Sequence, residues 1–201
     1  MRVLGFMTGT SLDAVDMAVL ETDGEAIQAF GPAGERKLSE PVRDLMLEAT
    51  RQALQWERGT PEPAIFAEAA RAGAEEHLAA AEAFLAANGL AWSDIDLIGA
   101  HGQTVLHERP TPERIGRTVQ LLDAQWLADG AGVPVAYDFR TADVAAGGEG
   151  RRWPRSITWP GPPRPASPRR WRCSTSAASP TSPSGPAVTR SRPSTPVPAT
   201  G

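Results

Sequence analysis

The chain has 201 residues, 41% hydrophobic and 22% charged, with a net charge of −4 and a single cysteine, Cys173. That length allows one domain, or one and a fraction, and the lone cysteine excludes a disulfide framework and a thiolate metal site. No apolar run approaches the roughly 18 residues of a membrane span, and Met1-Arg2 leads into a strand-like run rather than a cleavable signal peptide, so a cytoplasmic protein with no membrane partner is expected.

Residues 3–7, 15–21 and 26–30 read as three short strands, with Thr22-Asp23-Gly24 as a hairpin turn. Between the first two lies Thr8-Gly9-Thr10-Ser11-Leu12-Asp13-Ala14-Val15-Asp16. Gly9 can take positive φ and let backbone N–H groups approach a phosphate. Thr8, Thr10 and Ser11 add hydroxyl donors, and Asp13 or Asp16 suits a hydrated Mg²⁺. An ordinary hairpin with Asp and Ser as turn formers accounts for the same residues.

Ser39 is placed to cap a helix over residues 41–56, whose Val42, Leu45, Met46, Ala49 and Ala53 share one face. The Ala-rich stretch 63–87 predicts a long helix ended by Asn88-Gly89. Its Ile65, Phe66, Leu78, Phe84 and Leu85 are core candidates, and His77 is expected at the surface or half-buried. Residues 95–100 form a buried strand that delivers His101-Gly102-Gln103-Thr104 at its end, while His107 and Glu108 fall in a polar loop with no special role. A strand over 118–122, a helix over 123–129 and a strand over 133–137 follow. The pattern is that of an α/β layered domain, in which ligands sit beyond the carboxyl ends of strands.

Three segments take such positions: the turn after residue 7, the segment 101–104, and Asp138-Phe139-Arg140-Thr141-Ala142-Asp143 with the Gly-rich run behind it. Asp143 alone suits a helix N-cap. Asp138 and Arg140 suit either an ion pair or a ligand contact.

After Gly150 the chain changes character. Residues 151–201 hold nine of the 20 basic residues and none of the 24 acidic ones, so the two parts carry −13 and +9. That stretch also has 12 of the 19 prolines and no Leu, Phe, Met or Lys. It lacks the apolar surface to offset chain entropy and is expected to be disordered. An Arg/Pro-rich tail for RNA or SH3 domains is one alternative. Translation in the wrong frame is favoured, which leaves no nucleic-acid partner. Codons begun one base earlier permit A-P-L-A-P-V-Y-H-L-A over 151–160, V-L-N-L-G-G-V-A-N-V-T over 173–183 and A-F-D-T-G-P-G-N over 193–200. A single shift thus turns three stretches into ordinary protein sequence.

Gly5 to Asp16, Ala100 to Thr104 and Asp138 to Gly150 together resemble the anhydro-N-acetylmuramic acid kinases of the sugar kinase/Hsp70/actin superfamily. That family carries G-x-M-[ST]-G-T-S-x-D-G-x-D, S-H-G-Q-T and D-F-R-x-x-D-[IV]-A-x-G-G-[QE]-G-A-P-L. The shifted frame continues with A-P-L, then with family-like L-N-x-G-G-x-A-N and D-T-G-P-G blocks. The resemblance implies the N-terminal portion of a ribonuclease H-like, actin-like ATPase domain over residues 1–150, followed by the tail. It implies ATP and Mg²⁺ as cofactors, an anhydro amino sugar as substrate and a homodimeric assembly. Asp143 matches the catalytic base; Gly9, Thr10, Ser11, Leu12, Asp13, Ala14, Val15 and Asp16 match the ATP phosphate segment; His101, Gln103 and Thr104 match the substrate side. No resident protein-held metal is implied. Ala14 replaces a family Gly, which would weaken nucleotide binding if that position needs positive φ; Ala100 replaces Ser. A levoglucosan-type kinase and an inactive fragment are the alternatives.

Overall fold

The computed structural model describes residues 1–150. The expected disordered, out-of-frame stretch at 151–201 lies outside the described residues. Strands β1 (Arg2–Thr8), β2 (Ala14–Thr22) and β3 (Ile27–Lys37) form an antiparallel meander. Helices α1 (Glu40–Gln55) and α2 (Ile65–Ala87) cross over to β4 (Leu97–Ala100), which pairs parallel to β1. The hairpin β5 (Gln103–Glu108) and β6 (Arg117–Leu121), then α3 (Ala124–Ala131), lead to β7 (Val135–Tyr137) and α4 (Thr141–Ala145). The main sheet has the order β3-β2-β1-β4-β7, and β5 and β6 form a second, two-stranded sheet. The expected α/β layering is therefore present. Among the described residues no helix is long and apolar enough to cross a membrane.

Local chemistry accounts for most boundaries. Pro41 in the first turn of α1 supplies a helical φ where its missing N–H costs nothing. Ser39 holds the N-cap, but its hydroxyl makes no cap bond; its carbonyl accepts the Arg43 N–H at 2.9 Å. Asn88 ends α2 by donating from Nδ2 to the Phe84 carbonyl at 2.7 Å, and Gly89 takes the left-handed turn at φ +67. Asp123 caps α3 by accepting the Trp126 N–H at 3.0 Å.

Three readings need correction. β3 runs on through Pro32 to Lys37 rather than stopping at residue 30. It is an edge strand, where a proline removes no ladder bond that the sheet needs. His107 and Glu108 belong to β5 rather than to a loop. Glu108 has a definite role there, receiving Arg58 Nη2 at 2.5 Å and Arg117 Nη2 at 3.1 Å. Burial pushes the Glu108 carboxyl up, but the two guanidinium hydrogen bonds outweigh it and hold the group below its ordinary range. Arg117 also stacks over the Trp56 ring at 4.5 Å, which ties the β5–β6 hairpin to the end of α1. His77, finally, is buried at 5% exposure within α2.

Two apolar clusters position the site. The main sheet packs Leu4, Val15, Val19 and Ile98 against Ala81, Leu85 and Leu127 of the helices. A second cluster joins Leu12 of the turn after β1 to Met46 and Ala53 of α1, Phe66 of α2, and Val105 and Leu121 of the hairpin. Gly102 makes the corner between β4 and β5. Its φ is +70, and an added Cβ would lie 2.8 Å from the Leu121 carbonyl oxygen. Gly102→Ala is expected to lower the unfolding free energy by about 2–3 kcal/mol, from left-handed strain and backbone overlap together. Gly99→Ala, whose Cβ meets nothing within 4 Å, should change it by less than about 1 kcal/mol. Urea midpoints at constant slope would check both, and equal effects would refute the corner argument.

Candidate active site

The carboxyl ends of β1 and β4 lie side by side, because the two strands are parallel neighbours. A cavity of about 800 Å³ opens there. Thr8, Gly9 and Thr10 line it from the end of β1, His101 from the end of β4, and Gln103 and Thr104 from β5. Arg140 and Asp143 line it from the far side. Segments more than 130 residues apart in the chain thus meet at one concavity because β1, β4 and β7 end together.

The turn after β1 divides into two halves. Thr8, Gly9 and Thr10 line the cavity, whereas Ser11 to Asp16 do not. Leu12 and Val15 are core residues. Leu12 holds φ +53 and donates its N–H to the Gly9 carbonyl at 3.1 Å, which closes the turn. Ala14 opens β2 in extended conformation, so the positive φ falls on Leu12 and the feared penalty of a Cβ at position 14 does not arise. The exposed Asp13 carboxylate accepts the Ser11 hydroxyl at 2.7 Å, which with backbone N–H bonds lowers its pKa. Asp16 lies within β2 opposite Glu35, and burial together with the Glu35 and Asp13 charges raises its pKa.

On the opposite side, Asp143 stands in the first turn of α4, and Arg140 rather than Asp143 occupies the N-cap. Asp143 Oδ2 accepts the Gly150 N–H at 2.8 Å, and its carbonyl accepts the Gly148 N–H at 2.8 Å. Asp138, at φ +52, accepts the Thr141 N–H at 3.1 Å rather than pairing with Arg140. Arg140 brings positive charge to the cavity.

The strand-end residues supply hydrogen-bonding groups. Gln103 is buried, and its Oε1 has no hydrogen-bond partner, which leaves an acceptor in the cavity wall. His101 Nδ1 lies 2.5 Å from the Gly102 carbonyl oxygen. Burial, with a smaller contribution from the Arg140 charge, lowers the His101 pKa, so the ring is neutral near pH 7. Burial lowers that of His77 as well.

Both histidines are thus held neutral in the fold and take up a proton on unfolding. Their stabilising contribution is complete above the ordinary histidine value near 6.5 and declines as pH falls below it. For the buried His77 the loss should approach about 1.4 kcal/mol per pH unit. Unfolding midpoints measured from pH 7 to pH 5 should fall, and His77→Gln should flatten the curve. A flat wild-type curve would contradict the burial argument.

Val105, Leu106 and His107 of β5 also line the cavity and escaped the sequence reading, which ended the strand-end segment at Thr104.

Comparison with known proteins places these features in a family. The family model described as anhydro-N-acetylmuramic acid kinase matches residues 1–153. A relative of that name from Phenylobacterium zucineum is 73% identical over 150 residues, covering 75% of this chain and 41% of the relative. The Caulobacter vibrioides relative is 71% identical over the same share of this chain and 40% of its own length. The Bradyrhizobium diazoefficiens relative is 48% identical, again over 40% of its length. The chain spans about two fifths of the length of the curated relatives it matches. It belongs to the anhydro-N-acetylmuramic acid kinase family, and its mixed sheet is the N-terminal portion of the actin-like sugar kinase fold.

Proposed function

We propose that, as a member of this family, the gene encodes a kinase that converts 1,6-anhydro-N-acetylmuramic acid into N-acetylmuramic acid 6-phosphate at the expense of ATP. The observation that carries the reading is the shared cavity, in which a fixed carboxylate, Asp143, faces the Gly9 turn. ATP supplies the phosphoryl group, and Mg²⁺ neutralises its charge during transfer. The residues suit them: the Thr10 hydroxyl and the backbone N–H groups of Gly9 and Thr10 are phosphate donors, Arg140 adds a cation, and Asp13 offers an ionised carboxylate behind the turn. Among the described residues no cluster of three His, Cys, Asp or Glu side chains could cage a metal.

Asp143 acts as general base. It would take a proton from water as the water oxygen attacks the anomeric carbon; the C1–O6 bond breaks, and O6 takes the γ-phosphoryl group as its bond to the β-phosphate oxygen breaks and ADP leaves. A base must lie within hydrogen-bond reach of that water, and the Gly150 N–H, donated to Asp143 Oδ2, fixes the orientation of the carboxylate. Gln103, His101 and Thr104 bind the sugar from the strand-end side. The rest of the ATP site, and the groups that recognise the N-acetyl and lactyl substituents, belong to the part of the relatives that this chain does not match. The enzyme is assigned to cytoplasmic peptidoglycan recycling as a homodimer.

The matched region ends within three residues of the compositional break at Gly150, which supports an out-of-frame stretch over 151–201. Restoring the frame there should give a protein that forms the 6-phosphate with ATP, and levoglucosan should be a much poorer substrate. The 201-residue chain should form no detectable product. Robust turnover by that chain would sink the frame proposal, and preference for levoglucosan would sink the substrate assignment.

A further inference from the structure

His77 lies beneath the cavity and has no place in the chemistry described above. Its Nδ1 is 2.6 Å from the Gly73 carbonyl oxygen one turn back in α2, and its Nε2 is 3.3 Å from Thr8 Oγ. A carbonyl oxygen only accepts, so Nδ1 carries the ring proton. Burial among apolar groups, with the Phe6 ring edge-on at 4.9 Å, opposes a second proton on the ring. Nε2 is therefore a bare acceptor, and the hydrogen it receives is that of the Thr8 hydroxyl. Thr8, itself 8% exposed, lines the cavity, and the proton of its Oγ is committed inward to His77.

We propose that His77 is a positioning residue that turns Thr8 Oγ into a hydrogen-bond acceptor, so that at this point the cavity takes a donor and not a phosphate oxygen. The donor is either a water of a hydrated divalent cation or a hydroxyl of the sugar. Direct donation to phosphate then falls to Thr10 and the backbone N–H groups of the turn. The identity of these ligands rests on the kinase reading; the tautomer of His77 rests on geometry alone.

Nitrogen-15 NMR of the 201-residue chain tests the tautomer directly. With three histidines in the sequence, His101→Gln and His107→Gln variants suffice to assign the His77 signals. A pyrrole-type Nδ1 and a pyridine-type Nε2 are expected. An Nε2–H tautomer, an imidazolium or an averaged ring overturns the proposal. Thr8→Val replaces the hydroxyl with a methyl of similar shape, and should move the His77 Nε2 signal toward that of an unbonded pyridine nitrogen while Nδ1 stays put. An unmoved Nε2 signal would show that Thr8 does not donate to it. Neither measurement uses nucleotide or turnover, so failure of the kinase reading leaves both intact. In the frame-restored enzyme, Thr8→Val should raise by about tenfold, the equivalent of one hydrogen bond, either the Mg²⁺ requirement or the KM for sugar. The first outcome identifies the cation water and the second the sugar hydroxyl. A rise confined to the KM for ATP at saturating Mg²⁺ overturns the acceptor assignment.

Discussion

In the frame-restored enzyme, Asp143→Asn is expected to lower turnover about 10²–10⁴-fold, the usual loss on removing a general base. The amide keeps the size of the carboxylate, and its oxygen can still accept the Gly150 N–H that Asp143 Oδ2 accepts at 2.8 Å. What it lacks is the basicity to take the water proton. The KM for ATP should stay within about twofold, because phosphate binding is assigned to the turn after β1 on the other wall of the cavity. Steady-state rates with saturating sugar and varied ATP would separate the two quantities. Near-normal turnover would remove Asp143 from the chemistry.

Gly148→Ala should come close to the same loss without touching any reacting group. A Cβ on Gly148 would stand 2.2 Å from Asp143 Oδ2 and 2.4 Å from its Cγ, far inside contact distance. The carboxylate is the movable partner, so it swings out of line and the helix survives. Misplacing a reacting group by about 1 Å costs on the order of 10²-fold in rate. Gly147→Ala is the informative control. Its Cβ meets nothing within 4 Å, but its φ of +85 makes the substitution strained. That variant should lose about 1–2 kcal/mol of stability and keep most of its turnover. If Gly148→Ala retained full turnover, the glycine would be a spacer and not the clearance for the base.

These two glycines show why the site was only partly legible in the chain. The run Ala-Ala-Gly-Gly-Glu-Gly behind Asp143 is visible as a loop signal, but which glycine faces the carboxylate depends on how α4 ends. The same applies to Gly9 to Asp16. As a string it reads as one phosphate segment, yet Leu12 turns inward to the second core cluster and the cavity receives only Gly9 and Thr10 of that stretch. The hydrophobic demand of the α1–β5 packing decides that division. His77 follows Glu75 and Glu76 in the chain, a polar context that gives no sign of its burial. On a helix of 23 residues the buried stripe is wide enough to include a histidine whose two nitrogens are both satisfied.

Strands 3–7 and 15–21, both long helices and the Asn88-Gly89 stop were set by local periodicity and capping, which act within a few residues and leave their mark in the order of side chains. The family was legible for the same reason, since its three motifs are contiguous strings. The register of β5 against β6, the extension of edge strand β3, the burial of His77 and the meeting of Thr8, His101 and Asp143 at one cavity were decided by tertiary structure alone. Each depends on contacts between residues far apart in the chain, where hydrogen-bond pairing and core packing override the preferences of any single segment.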